Sequence, residues 1–535
     1  NYFNQNGTTV GTSLGRLSAR VNLDYTVSTK IRFSADIAYT HIDNQNLYTN
    51  GVRDVAYTKM PNQAVYEYDE YGNLTSNYFS PANTAQGGFA YNFTNSRITG
   101  TYNPLAMAMA ASNQQLGERV IPKFSLQYQI VPDRLRLNAN FQADINNTKV
   151  KTFLPQIATG RPFSEPVVNY AGDSDGDSFT MATNITLAYT PKLGEKHDLI
   201  AFARFDSNDS RRTGQGMFAT NTASSYLADP SIDGRTNQSG SAYSSFSQSR
   251  SVGLLLNAQY KFLDRYIVNG GVRGDGNSKF GPNNRYGLFP SASVLWRISG
   301  EPFMKNTTKY IDNLALRASY GVVGNAPRND YSYFNTYQNY GFSYLGSSGV
   351  YPSNIELSDL RWEKVTQSNV GLTVVLLKNS LNMDIDVYRK RTTDLFYNGL
   401  AIPTYNGYSG VDMNVGTMDN QGWEFSFFYT PVKSKKFRVD VNFNISHNEN
   451  MIREISPLVP RENNARITTN NAFKVYLQEN NPFGSFYGFK FKGVYADKNA
   501  TIALDENGNQ IVGPNGQQIF MRFAYPSIDY VFQPG

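Results

Sequence analysis

From Arg134 to Ile145 the chain reads Arg-Leu-Arg-Leu-Asn-Ala-Asn-Phe-Gln-Ala-Asp-Ile, polar and apolar residues in strict alternation. Phe437 to Ser446 repeats the pattern (Phe-Arg-Val-Asp-Val-Asn-Phe-Asn-Ile-Ser), as does Leu381 to Tyr388 (Leu-Asn-Met-Asp-Ile-Asp-Val-Tyr). Successive side chains of a strand point to opposite faces, so this period builds a ribbon with one greasy and one wet side. Strands of about ten residues, tilted, also have the length that crosses a bilayer. The deciding question is whether the greasy side meets a protein core or lipid.

Composition narrows the answer. Only 40% of the 535 residues are apolar and 17% are charged, against about 45–50% and about 25% in ordinary globular chains. Yet Tyr (37) and Phe (34) are abundant, which is unlike a disordered chain. A large β structure with a neutral polar face and aromatic rims fits. Cysteine is absent, which excludes disulfides and Cys-based metal sites. The net charge of +6 is spread along the chain, so no nucleic-acid surface is expected. No run approaches the ~18 apolar residues of a membrane helix. Mean hydropathy is −0.46, but a membrane barrel hides its lipid face within the alternation. Asn1 is not a start methionine and no signal peptide precedes it, so an upstream segment is expected.

Strand candidates recur in pairs: Leu14–Tyr25 with Lys30–His41, Pro122–Val131 with Arg134–Asn146, Thr180–Thr190 with His197–Asn208, and Ser249–Lys261 with Arg265–Gly276. Asn284–Arg297 and Asp312–Val323 follow, then Thr366–Leu377 with Ser380–Arg391, Met418–Thr430 with Lys436–His447, and Phe483–Tyr495. Connections such as Val131–Arg134, Pro191–Lys196, Lys378-Asn379 and Pro431–Lys435 are short and carry turn residues. The others are long, roughly 42–121, 147–179, 209–248, 324–365, 392–417 and 448–482. Short turns on one side and long loops on the other mark an outer-membrane barrel. Propellers would show a repeat of ~40–50 residues, and sandwiches closer turn signals. An Arg or Lys facing lipid at mid-bilayer costs ~2–4 kcal/mol. Arg134, Arg136, Asn138, Asn140, Gln142 and Asp144 are therefore expected to face a watery lumen, and Leu135, Leu137, Ala139, Phe141, Ala143 and Ile145 to face lipid. Tyr25, Tyr39, Tyr128, Tyr189, Tyr260, Tyr266, Tyr320, Tyr388 and Tyr429 are candidates for interfacial girdles.

From Asn284 onward the chain resembles the SusC/RagA family of TonB-dependent outer-membrane transporters. The resemblance rests on RYGLFPSASVLWRISGE (Arg285–Glu301), LALRASYGVVGN (Leu314–Asn325), LRWEKVTQSNVGL (Leu360–Leu372) and MDIDVYRKRTTDLF (Met383–Phe396). NVGTMDNQGWEFSF (Asn414–Phe427), FRVDVNFNISHNEN (Phe437–Asn450) and PFGSFYGFKFKGVY (Pro482–Tyr495) complete it, over roughly 210 residues in family order. The resemblance implies an all-β, transmembrane antiparallel barrel of the ~22-stranded, plugged type, with long extracellular loops and short periplasmic turns. About fourteen to sixteen strands are countable here. Residues 1–535 are thus expected to form part of one barrel domain in the bacterial outer membrane, without the N-terminal plug and the C-terminal strands. The missing strands would come from other parts of the same polypeptide or from a separate chain. The resemblance further implies active import of glycans, oligosaccharides or peptides, energised through TonB acting on the plug. A SusD-like surface lipoprotein would act as lid, and dimers of transporter–lid pairs are expected. A passive porin or secretion-type barrel, and a soluble adhesin-like β protein, are the competing readings.

Three further groups stand out. Tyr331, Tyr333, Phe334, Tyr337, Tyr340, Phe342, Tyr344 and Tyr351 crowd one loop, and aromatic rings stack on sugars and anchor interfaces; they are the candidate contacts for substrate or lid. Asp173, Asp175 and Asp177 look like the start of a calcium loop. An EF-hand needs Gly at its sixth position and Glu at its twelfth, where this chain has Ser178 and Asn184. A solvated acidic loop is the favoured reading over an irregular calcium site. His41, His197 and His447 are the only histidines and lack ligand or triad spacing, so neither metal nor enzyme chemistry is expected. Trp362 and Glu363 are read as a loop returning into a strand, and Asp505–Asn509 and Gly513–Gly516 as tight turns.

Overall fold

The two-residue period becomes one antiparallel sheet of fifteen strands. The computed structural model describes residues 1–48, 51–58, 63–79, 103–159, 168–231, 239–307, 309–408, 410–457, 474–487 and 495–521. The sheet contains β1 (Tyr2–Asn6), β2 (Ser13–Ser28), β3 (Ile31–Asn46), β4 (Ser112–Val131), β5 (Leu135–Leu154), β6 (Tyr170–Tyr189) and β7 (His197–Thr220). It continues through β8 (Ser239–Phe262), β9 (Tyr266–Asn277), β10 (Tyr286–Arg297), β11 (Ile311–Asn325), β12 (Glu363–Leu376), β13 (Leu381–Thr393), β14 (Thr417–Lys433) and β15 (Arg438–Glu454). Each strand pairs with its neighbours in this order, so the topology is a simple meander. Among the described residues the sheet is not closed: β1 and β15 are its edges. It lies wholly in the first of two compact units, Asn1–Val459; the second is Pro460–Gly535.

The short turns have the chemistry hairpins demand. Asp133, Leu263 and Asp264 adopt left-handed backbone angles. Between β12 and β13, Leu377, Lys378 and Asn379 do so consecutively, with φ of 56–62°, the geometry that matches the twist of the flanking strands.

The register aligns the greasy positions of different strands. Phe33, Leu126, Ala139, Ile185, Phe205 and Leu254 are successive cross-strand partners from β3 to β8. Ala318, Val370, Val387 and Trp423 form an equivalent row from β11 to β14. Directly paired residues share a face, so the apolar face is continuous across the sheet. Phe205, Leu254, Val370 and Val387 on it are exposed, Val387 by 58%. No layer of the described residues covers it, and an uncovered apolar face of this extent needs another apolar medium. On β5 the band runs from Leu135 to Ile145, ten steps of ~3.3 Å, which at a tilt of ~40° spans about 25 Å.

The strands are longer than the alternation predicts. β7 and β8 each contain 24 residues, and their ladder continues to Thr220 paired with Ser239. Most of the expected loop 209–248 is therefore strand. Its outward positions change from Phe205 to Ser207, Asp209 and Arg211, so both faces are polar there and the two-residue signal vanishes. The same effect corrects the calcium-like loop: Asp173, Asp175 and Asp177 lie within β6. They sit opposite Lys151, Lys149 and Asn147 of β5, as a row of cross-strand partners. The long connection after β3 is not structureless either. Gly51–Thr58 and Pro104–Ala110 there, and Gln156–Thr159 after β5, are helical, and Val52, Ala106, Met107, Leu154 and Ala158 form a small buried core. Asn103 caps the second helix, its Oδ1 accepting from the N–H groups of Leu105 (3.0 Å) and Ala106 (3.2 Å).

In the second unit, Lys474–Tyr476 pairs with Ser485–Tyr487 as a separate hairpin. The rest of the expected strand Phe483–Tyr495 lies largely outside the described residues. Asp505 closes its turn by accepting from the N–H groups of Asn507 (2.9 Å) and Asn509 (2.8 Å); Gly508 and Gly516 supply the left-handed positions.

Phe141→Arg places a cation on the apolar face, whereas Asn140→Arg places it on the polar one. The first change is expected to cost ~2–4 kcal/mol of membrane-inserted stability and the second much less. The yield of heat-modifiable, folded protein in outer-membrane fractions measures the difference.

Candidate functional site: the polar face and the rim

The polar face carries the residues that alternate with the band. Arg136, Asn138, Asn140, Gln142 and Asp144 share it along β5. Arg134 does not reach the strand: it lies in the turn before Leu135, where its carbonyl accepts from Thr190 N at 2.8 Å. Asn140 Nδ2 reaches Asn184 Oδ1 at 3.4 Å. Asp144 accepts from Arg119 Nε at 2.8 Å.

This pairing recurs around the sheet. Arg20 Nε donates to Asp36 Oδ1 (2.8 Å). Arg204 and Arg273 flank Asp206, at 2.8 and 3.2 Å, and Arg273 Nε also holds Asp275. Arg317 bridges Asp384 (3.2 Å) and Asp386 (3.3 Å through Nε). A Cβ at Gly371 would collide with Arg317 and Asp386, so glycine there lets the guanidinium lie flat across the strand. The sequence gives the polar parity of these residues; which cation meets which anion is set by register and rotamer. The resulting surface is rich in hydrogen-bonding groups, with its cations and anions interleaved.

Tyr25, Tyr128, Tyr189, Tyr260, Tyr266 and Tyr429 share the apolar face near the short-turn end, with Tyr39 and Tyr320 toward the other. Tyr388 is a correction. It has the parity of Asp384 and Asp386, lies across Gly422 on the polar face, and donates to Asn448 Oδ1 at 3.1 Å.

A gap opens in the wall. β10 and β11 pair only from Ser291–Gly321 to Arg297–Ala315. Above that, β10 pairs with β9 alone and β11 with β12 alone. Pro290, which has no N–H, stands where the ladder stops. Phe280, Phe289, Leu360 and Trp362 form a buried cluster here, with Trp362 centred 4.4 Å from Phe280 and 5.4 Å, edge-on, from Phe289. Side chains at Gly287 or Gly324 would overlap the Phe289 and Trp362 rings. Trp362 Nε1 is buried without a hydrogen-bond partner among the described residues. Nothing in the periodicity signals this cluster, because its members come from three segments.

The aromatic loop stands beside it. Tyr333 packs against the cluster and stacks on Phe334 at 4.2 Å. The Tyr331 hydroxyl accepts from Gln248 N (2.8 Å), and Lys279 Nζ donates to the carbonyls of Pro327 (3.2 Å) and Arg328 (2.8 Å). Tyr337–Tyr344 and Ser347–Pro352 form a hairpin with Tyr337 and Tyr340 exposed and Tyr340 edge-on to Tyr351. Phe342 and Tyr344 lie on this hairpin; their side chains are outside the described residues. One end of the loop is thus anchored and the other presents aromatic surface. No group of three or more His, Asp or Glu side chains among the described residues converges as metal ligands.

At the short-turn end, Glu301 is 7% exposed. It accepts from Tyr266 OH (2.5 Å), Trp296 Nε1 (3.0 Å) and Arg265 Nη1 (3.2 Å). The tyrosine and tryptophan donors and the guanidinium hold its carboxyl below the usual range.

Residues 157–516 match the family described as TonB dependent receptor-like, beta-barrel. TonB-dependent receptor P39 of Formosa agariphila is 29% identical over 410 residues, covering 74% of this chain and 36% of that protein. TonB-dependent receptor SusC of Bacteroides thetaiotaomicron is 24% identical, covering 99% of this chain and 54% of that protein. A solved structure of the RagAB peptide transporter superposes with a TM-score of 0.73 at 20% identity, over 97% of this chain and 56% of that chain. The chain spans about half the length of most of the curated relatives it matches.

Trp362→Ala is expected to destabilise the wall by about 3–5 kcal/mol, seen as a lower unfolding temperature and protease cleavage near the gap. The depressed Glu301 carboxyl contributes stability above its unfolded pKa of ~4.3, and this is lost as pH falls through its lower folded value. Glu301→Gln should remove that acid-side dependence from the unfolding profile while leaving the neutral-pH fold in place.

Proposed function

This chain belongs to the TonB-dependent receptor-like β-barrel family, a family of outer-membrane proteins, and from that premise we propose that it is the wall of an active importer. The observation that carries the reading is the family match over residues 157–516 on a sheet with one continuous apolar face and one ion-paired polar face. The apolar face meets outer-membrane lipid. The polar face, with Arg136, Asn138, Asn140, Gln142 and Asp144, lines the lumen. Backbone groups at the edges of a lipid-embedded sheet must be paired, so β1 and β15, the edges of the described sheet, pair with further strands in the completed barrel.

The activity follows the SusC type. Cargo is a glycan, oligosaccharide or peptide, too large for a simple porin, consistent with the peptide transport named for RagAB. The exposed aromatic hairpin, with Tyr337 and Tyr340, contacts cargo or a SusD-like lipoprotein lid, and transporter–lid pairs form dimers. TonB pulls on a plug held within the completed barrel. No covalent chemistry is involved; the work consists of capture, lid closure and plug displacement. The family is one of receptors and transporters rather than enzymes.

The test is uptake of labelled oligosaccharide and peptide libraries by cells expressing the full-length protein, with and without TonB. Accumulation that disappears without TonB supports active import. Accumulation that persists unchanged, or a full-length protein lacking a plug, favours a passive porin.

A further inference from the structure

The apolar band ends abruptly on the long-loop side, and on β12 to β15 the boundary is sharp. One cross-strand row reads Val370, Val387, Trp423 and His447. The next row toward the loops reads Ser368, Arg389, Gln421 and Glu449, and the one beyond it contains Thr366, Arg391, Asp419 and Met451. No register shift separates these rows on β13, so Val387, Arg389 and Arg391 project from the same outward face.

Between β5 and β6 this face pairs cations and anions one to one: Lys149 faces Asp175 and Lys151 faces Asp173. Here three guanidiniums converge on one carboxylate. Arg391 holds Asp419 through Nε (2.7 Å) and Nη2 (3.0 Å), Arg389 through Nη2 (2.7 Å), and Arg453 through Nε (2.8 Å). Asp419 is 1% exposed, whereas the three arginine side chains remain 51%, 44% and 32% exposed. Arg389 gives one nitrogen to Asp419 and has further donors in its planar fork. Glu449 lies in the same row as Arg389, 3.4 Å from His447 Nε2, so three guanidiniums meet two carboxylates.

A shallow cavity of about 480 Å³ spans the first two rows. Val370, Val387 and Trp423 form its apolar side; Arg389, Gln421, His447 and Glu449 form its polar side, with Arg391 just beyond it in the next row. The cavity therefore straddles the step from the apolar row to the polar row, the level at which a membrane surface changes from hydrocarbon to headgroup. An occupant must present an acyl chain below and an anion above. Guanidinium forks are matched to phosphate oxygens.

We propose that this outward cavity binds a phosphate-bearing lipid of the outer leaflet, its phosphate on Arg389 and Arg391 and an acyl chain against Val387 and Trp423. Charge complementarity and continuity with the lipid-facing band select this occupant. The site faces away from the lumen, so its success or failure is independent of what the barrel transports.

The experiment uses the full-length protein in neutral detergent and native mass spectrometry of retained phosphatidylglycerol, with diacylglycerol and inorganic phosphate as comparisons. Wild type is expected to retain phosphatidylglycerol. Arg389→Gln/Arg391→Gln should weaken retention at least tenfold. Because that change also disturbs Asp419, Gln421→Glu is the second variant: it leaves Asp419 paired, adds a negative charge to the cavity, and should weaken retention similarly. Equal retention by wild type and Gln421→Glu would overturn the proposal. So would diacylglycerol retained as well as phosphatidylglycerol, or inorganic phosphate displacing the lipid at equal concentration.

Discussion

Backbone hydrogen bonding without water is the constraint on which everything else here rests. A strand in hydrocarbon must give every N–H and C=O to a neighbouring strand. Lateral pairing from β1 through β15 meets that demand over most of the described sheet, the edges and the β10–β11 gap excepted. Once the backbone is committed, only side chains remain to distinguish inside from outside, and they alternate. Register then becomes decisive, because a slip of one residue would exchange the two faces. The unbroken row from Phe33 to Leu254 shows that the register aligns apolar positions with one another.

Departures from the ladder coincide with packed side chains. Where β10 and β11 separate, Phe280, Phe289 and Trp362 fill the gap, and Lys279 ties the following loop through its carbonyls. At the opposite end, Glu301 gathers Tyr266, Trp296 and Arg265. Within the sheet, arginine–aspartate pairs neutralise charges along the polar face. Buried or partly buried pairs of this kind are poor sources of net stability; their clearer effect is to keep the polar face both hydrated and nearly neutral.

Legibility in the sequence followed the same physics. Arg134–Ile145 announced both faces of β5, because hydrocarbon on one side enforces alternation. Above the hydrocarbon nothing enforces it, so the outer parts of β6, β7 and β8 read as loops, and Asp173, Asp175 and Asp177 looked like a calcium loop instead of one side of a ladder. Tyr388 looked like a girdle residue by type, whereas its parity puts it opposite. Trp362 sat in a stretch whose resemblance to the family was visible, but its partners Phe280 and Phe289 are far away in sequence and carry no periodic mark. The guanidiniums around Asp419 were each visible as arginines, but not their convergence, which depends on the β14–β15 register.

β5 and its neighbours present alternate residues to the apolar and the polar side of the sheet. The chain has no cysteine, so single cysteines can be introduced from Leu135 to Ile145 in the full-length protein and spin-labelled in bilayers. Accessibility to a lipid-soluble relaxant should peak at Leu135, Leu137, Ala139, Phe141, Ala143 and Ile145, with a water-soluble relaxant peaking at the residues between them. A flat profile, or one with the two phases exchanged, would contradict the account.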